Sequence, residues 1–153
     1  MTAAASRSTT ARTPVQTVAI VVGIVFLLVG VLGFIPGITT GYDTMGFAGM
    51  GSMAMLLGLF QVSILHNIVH LLFGIVGLLS ARTARGAKLY LIIGGIVYGV
   101  LWLYGLVIDN ASSANFVPLN TADNWLHFVL AVGMILLGVL VKGDRRAAGA
   151  QRA

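Results

Sequence analysis

Four long uncharged apolar runs alternate along the chain with short polar stretches. No Asp, Glu, Lys or Arg stands between Arg12 and Asp43, Asp43 and Arg82, Lys88 and Asp109, or Asp123 and Lys142. Each gap holds the roughly 20 apolar residues that a helix needs to cross a bilayer core. The pattern predicts helices near residues 15–35, 60–80, 88–108 and 122–141, together an all-α integral membrane protein, a four-transmembrane-helix bundle over residues 14–142. Thr13 and Pro14 make a cap and a first helical position. The run after them is too long for a secretory signal and lacks a small-residue cleavage site, so it is expected to stay as helix one. Pro36 and Gly37 end that helix, residues 82–86 make a tight turn, and the loop 109–124 is rich in turn formers.

Two stretches depart from this rhythm. Residues 1–13 are rich in Ser, Thr and Ala and carry too little apolar surface to offset the entropy of ordering, so they are expected to be a disordered tail. The uncharged stretch 44–81 exceeds one crossing at about 1.5 Å per residue. Within it residues 46–58, flanked by Met45 and Phe60, mix Met and Phe with small residues. They suit a helix lying at the interface or over the mouth of the bundle, or else a long tilted second helix.

Charge sets the orientation. The nine Lys and Arg fall into three clusters: Arg7 and Arg12; Arg82, Arg85 and Lys88; and Lys142, Arg145, Arg146 and Arg152, the last mostly in the basic tail 143–153. The intervening loops carry only Asp43, Asp109 and Asp123, so the positive-inside rule predicts both termini in the cytoplasm. With 58% apolar and 8% charged residues, a water-soluble fold is excluded. The net charge of +5 invites a nucleic-acid reading, but these basic residues flank membrane helices, where they orient the chain and attract anionic headgroups. Cysteine is absent, which removes disulfides and thiolate chemistry.

The first helical pair resembles the second. A Gly-Ile-Val-Phe run ending at Phe26 matches Gly-Ile-Val-Tyr ending at Tyr98, and Gly33 matches Gly105 at the same offset. Phe34-Ile-Pro36 recurs as Phe116-Val-Pro118, and Asn67-Ile-Val-His70 as Asn124-Trp-Leu-His127. Two pseudo-repeated hairpins related by an axis along the membrane normal are therefore expected, with the axis between helices two and four. Under this match His66 corresponds to Asp123.

Intramembrane polar residues are costly and face the bundle interior, so His66, Asn67, His70, Asp123, Asn124 and His127 form the candidate cluster. Helical spacing puts His70 on one face with Asn67 and His66, and His127 with Asn124 and Asp123. The structural expectation is a reciprocal clasp, Asn67 to His127 and Asn124 to His70, at about 0.6 kcal/mol per bond. A rival makes His70 and His127 axial ligands of one haem b, and a third makes His66, His70 and Asp123 a proton path. His66 and His70 have the i, i+4 spacing of a metalloprotease helix, but Asn67 stands where its general-base Glu belongs and the chain contains no Glu. No nucleophile elbow or glycine-rich phosphate loop is present, so neither an enzyme nor a metal site is expected. The small-xxx-small pair Gly95 and Gly99 is read as packing within the bundle. Trp102, Tyr104 and Trp125 are read as one interfacial belt and Tyr90 as part of the other. Thr121 and Asp123 are read as the cap and first-turn acid of helix four.

The stretches Arg12-Thr-Pro-Val-Gln, Gly33-Phe-Ile-Pro-Gly37, Leu57-Gly-Leu-Phe-Gln61, Leu65-His-Asn-Ile-Val-His-Leu-Leu-Phe-Gly74 and Asn115-Phe-Val-Pro-Leu-Asn-Thr-Ala-Asp-Asn-Trp-Leu-His127 resemble a bacterial membrane family, domain of unknown function 4383. The resemblance covers roughly residues 12–142. It implies four transmembrane helices in a bacterial cytoplasmic membrane and implies no activity. Taken together, a non-enzymatic structural or accessory membrane component without a cofactor is expected. Its partners would be the lipid bilayer, another membrane protein or a second copy; a small-solute or proton transporter is the further alternative.

Overall fold

A computed structural model describes residues 11–143. The tail assignments, with Arg7, Asp144, Arg145, Arg146 and Arg152, lie almost wholly outside the described residues. Four helices dominate: α1 (Pro14–Leu32), α2 (Ile64–Ser80), α3 (Ala84–Val107) and α4 (Thr121–Leu140). Between α1 and α2 lie three two-residue strands, β1 (Thr39–Thr40), β2 (Met55–Leu56) and β3 (Phe60–Gln61), and a short 3-10 turn at Tyr42–Thr44.

Helix starts follow local chemistry. Thr13 precedes Pro14, and the Gln16 side-chain oxygen accepts from the Thr13 backbone N–H at 2.9 Å and from its hydroxyl at 3.0 Å. The Ser63 hydroxyl accepts from the His66 N–H, and Thr83 accepts from the Gly86 N–H. At α4 the cap is Asn120, one residue before the expected Thr121; its side chain accepts from the Asp123 N–H while Asp123 accepts from the Asn120 N–H, a reciprocal capping box. α3 begins at Ala84, four residues earlier than expected, because Thr83 supplies the cap; the turn from α2 shrinks to residues 81–83.

Residues 46–58 correct both expectations for them, since they form neither an interfacial helix nor an extension of α2. β1, β2 and β3 make an antiparallel sheet, with Thr39 opposite Leu56 and Leu56 opposite Phe60. Its small core of Ala54, Leu56 and Val62 packs on Val29, Leu32 and Met45. Gly41, Gly49 and Gly58 take left-handed backbone with φ of +60°, +78° and +68°, a conformation at which a helix cannot continue.

α1 packs chiefly on α2, and α3 on α4. Contacts run from Gly23 against Gly74 and Leu78 to Gly33 against Asn67, so α1 and α2 are antiparallel. Gly138 against Leu91 and Gly105 against Asn124 place α3 and α4 in the same way. Gln16 donates to the Ala81 carbonyl at 2.9 Å and Val15 N–H to the Lys142 carbonyl at 3.3 Å, bringing both hairpins to one level. The described Lys and Arg all gather at that end, and Asp43, Asp109 and Asp123 at the other, capped by the sheet. α1, α3 and α4 are long and apolar enough to cross a membrane. α2, with 17 residues, reaches about 26 Å, just under the hydrocarbon thickness of about 30 Å. Large apolar side chains such as Val25, Leu72, Ile93 and Val129 point outward, the reverse of a water-soluble surface.

The bundle interior centres on Phe26, Tyr90, Leu91, Tyr98 and Met134. Tyr90 is no interfacial belt residue: it is buried, its ring against Gly77 and Phe73. Trp125 is exposed at the capped end, whereas Trp102 packs on Phe128. Gly95 faces the Ala131 carbonyl and Ile135 inside the bundle, so its contact lies within the molecule. A Cβ there would sit 2.7 Å from Ile135, whereas one at Gly99 would meet Ala131 at 3.8 Å. Gly95→Leu is therefore expected to destabilise the detergent-solubilised protein by about 1–3 kcal/mol and Gly99→Ala to leave it unchanged within about 0.5 kcal/mol, read by thermal unfolding.

Candidate functional site

The polar cluster sits at the capped end of the bundle, built from the first two turns of α2 and of α4. Each helix presents its residues through its cap: Ser63 starts α2 three residues before His66, and Asn120 starts α4 three residues before Asp123. His66, Asn67, His70, Asp123 and His127 are all buried. All three histidines gather here: the His66 and His70 rings are 4.5 Å apart between centroids and His66 and His127 6.5 Å apart.

Most of the cluster bonds to backbone. Asp123 Oδ2 accepts from Gln61 N–H at 3.0 Å and from Asn120 N–H at 3.1 Å. His66 Nδ1 is 3.2 Å from the Gln61 carbonyl and His70 Nδ1 3.0 Å from the His66 carbonyl. A carbonyl only accepts, so both rings carry their proton on Nδ1. Gln61, at the edge of the sheet, thus joins Asp123 on its amide side to His66 on its carbonyl side. Its own side chain donates to the Ser52 carbonyl at 2.8 Å. Further ties from Asn120 Nδ2 to the Leu59 carbonyl and from Gly49 N–H to the Phe116 carbonyl lock the cap of the first hairpin onto the second.

The expected clasp between Asn67 and His127 and between Asn124 and His70 is absent from these hydrogen bonds. Each Asn instead turns to the first helix of its own hairpin. Asn67 lies against Gly33 and donates weakly to Met45 Sδ at 3.9 Å; Asn124 lies against Gly105. No Cβ fits at either glycine beside the amide, which is why an amide side chain and a glycine face each other at both places. Asn124 Oδ1 and His127 Nδ1 remain buried without a partner.

A chain of aromatic contacts links His70 to His127. His70 lies on Phe26 at 5.6 Å, Phe26 on Tyr98 at 5.4 Å with planes 18° apart, and Tyr98 on His127 at 5.2 Å. α1 and α3, carrying this stack, pack on each other more extensively than α2 and α4 do. His70 and His127 each lie against an aromatic ring, Phe26 and Tyr98, and His70 Nδ1 is engaged by the His66 carbonyl. Among the described residues no three His or acidic side chains converge as metal ligands.

Gln61, Phe26 and Tyr98 are the residues that the polar pattern missed. Gln61 acts through its backbone, which no side-chain pattern reports. Phe26 and Tyr98 end the two similar runs noted in the sequence, Gly-Ile-Val-Phe and Gly-Ile-Val-Tyr, which was the available signal for them.

These features define a helical protein of membrane type with a buried polar cluster and a small β-cap. The chain belongs to the family described as Domain of unknown function (DUF4383), whose profile matches residues 16–140. No curated protein and no solved structure matches the chain.

Two outcomes are expected of substitutions here. Gly33→Ala destabilises the protein, and less so when Asn67→Ala has removed the amide that the new methyl group would strike; a double-mutant cycle read by thermal unfolding yields a coupling of about 0.5–3 kcal/mol. His70→Phe loses the bond to the His66 carbonyl and costs about 0.6 kcal/mol, whereas His127→Phe removes an unpartnered nitrogen and is neutral or stabilising, measured in the same way.

Proposed function

We propose that this chain is a four-pass integral membrane protein of a bacterial cytoplasmic membrane, with both termini in the cytoplasm and two pseudo-repeated hairpins. It serves as a non-enzymatic structural or accessory component. The observation that carries this reading is that three of the buried polar side chains, Asp123, His66 and His70, are engaged by the chain's own backbone. Asp123, His66 and His70 bond to Gln61, Asn120 and the His66 carbonyl. Amides and carbonyls hold ring orientation and exchange protons poorly, which favours a weld between cap and bundle over the proton path.

The four-pass topology is supported by the antiparallel course of α2 beside α1, which takes α2 from the capped end to the basic end over the same depth. The segregation of Arg12, Arg82, Arg85, Lys88 and Lys142 from Asp43, Asp109 and Asp123 supports the orientation. The pseudo-repeat draws support from paired contacts at matched positions: Gly33 on Asn67 and Gly105 on Asn124, Gly23 on Gly74 and Gly95 on Ala131, Phe26 on His70 and Tyr98 on His127. The apolar flanks of the helices are the largest contact surface, so the partner is the bilayer together with another membrane protein or a second copy.

Because the chain has no cysteine, single cysteines report topology directly. A cysteine at Arg82 is expected to react with an impermeant maleimide only after the cytoplasmic face is opened, and one at Phe47 in intact cells; the reverse pattern would overturn the orientation. Protein purified in mild detergent with adequate haem supply is expected to show no Soret band, oxidised or dithionite-reduced. A band lost in both His70→Ala and His127→Ala would replace this reading by a haem protein, and pH-driven flux in proteoliposomes abolished by His66→Ala by a transporter.

A further inference from the structure

At the basic end, the start of α3 and the chain at the end of α4 flank an open cleft of about 470 Å³ lined by Ala84, Arg85, Lys88, Val139, Leu140 and Lys142. We infer that this cleft binds the phosphate group of an anionic phospholipid, one lipid per chain, with the acyl chains lying along the outward faces of α3 and α4. The inference rests on the reading of α3 and α4 as membrane spans.

Three positive side chains converge on one cleft. Arg85 and Lys88 stand three residues apart on α3 and share a face, and Lys142 lines the cleft from the segment just beyond α4. Lys142 is not a loose tail residue: its carbonyl accepts from Val15 N–H, and Gly143 packs against Ala84 and Val15. Among the described residues, the three carboxylates, Asp43, Asp109 and Asp123, lie at the far end of the bundle. The first turn of α3 adds donors, because the Thr83 hydroxyl takes up only the Gly86 N–H and the N–H groups of Ala84 and Arg85 have no intrahelical partner. Such a helix start favours an anion.

The mixed lining favours a lipid over a free anion. Beside the basic residues the cleft is lined by Val139 and Leu140, which are 54% and 70% exposed, and Ile93 is exposed on α3. A phosphodiester placed between the cations would have its glycerol and chains on this apolar strip, at the depth where basic pockets between membrane helices receive anionic headgroups.

The test is native mass spectrometry of the full chain, delipidated in detergent and titrated with phosphatidylglycerol or phosphatidylcholine of identical acyl chains. The first phosphatidylglycerol is expected to bind about tenfold tighter than the first phosphatidylcholine. This preference disappears in Arg85→Gln/Lys88→Gln/Lys142→Gln and persists in Arg145→Gln/Arg146→Gln/Arg152→Gln. Lys142→Gln alone, which leaves α3 untouched, is expected to reduce it several-fold and supplies the readout if the triple variant does not fold. Equal binding of the two lipids, a preference that survives the triple substitution, or one lost with the tail arginines would overturn the inference. Complete competition by inorganic phosphate would also overturn it, assigning the cleft to a free anion. Incorporation of the same protein into nanodiscs separates the two readings: a chain that fails to enter them defeats the membrane reading, whereas one that enters without lipid preference defeats only this site.

Discussion

Close backbone approach within each hairpin is the constraint on which the rest of the structure depends. Inside a bilayer the lipid tails are as apolar as leucine, so helices associate through dispersion and hydrogen bonding, both of which need short distances. Gly23 brings α1 so near α2 that an added Cβ would lie 3.0 Å from the Gly74 carbonyl, and Gly95 brings α3 similarly near the Ala131 carbonyl of α4. Further along, Gly33 and Gly105 leave the room that the amides of Asn67 and Asn124 fill. Without that room neither amide could stay inside, and the cluster of histidines beside them would lose its walls. Phe26 and Tyr98 then join the two hairpins through apolar stacking where polar bonds were expected.

The polar cluster and the β-cap form one construction. Gln61 belongs to the sheet by its strand pairing with Met55 and to the bundle by its bonds to Asp123 and His66. Asp123 in turn caps α4 and receives the sheet edge with the same oxygen. A carboxylate placed here therefore serves helix start and loop docking at once. This explains why an acid is retained at a buried position of a membrane helix, where such groups are costly.

Features governed by neighbours in sequence were legible before the structure. Thr13, Pro14 and the four apolar runs announced the helices, and the charge clusters announced which ends lie together. The sheet was hidden because strands of two residues have no periodicity to read, and their pairing joins Thr39 to Leu56 across a loop of glycines. The three histidines lie together, but the bonds around them are not the ones their spacing suggested. A side-chain pattern shows which groups share a face, but not that a main-chain amide from a distant strand will reach them first. The cap of α4 shifted by a single residue for the same reason, since Asn120 and Thr121 are both good caps and only the geometry of the incoming loop separates them.

The bond from Val15 to the Lys142 carbonyl joins the first turn of α1 to the residue just beyond α4, so it bears on the order in which the protein is made. α1 and α2 have their own glycine contacts and can pair as soon as the second helix leaves the ribosome. The ring around the bundle closes only when synthesis has passed Lys142. Until then the face of the first hairpin that α3 and α4 cover in the finished bundle is left open.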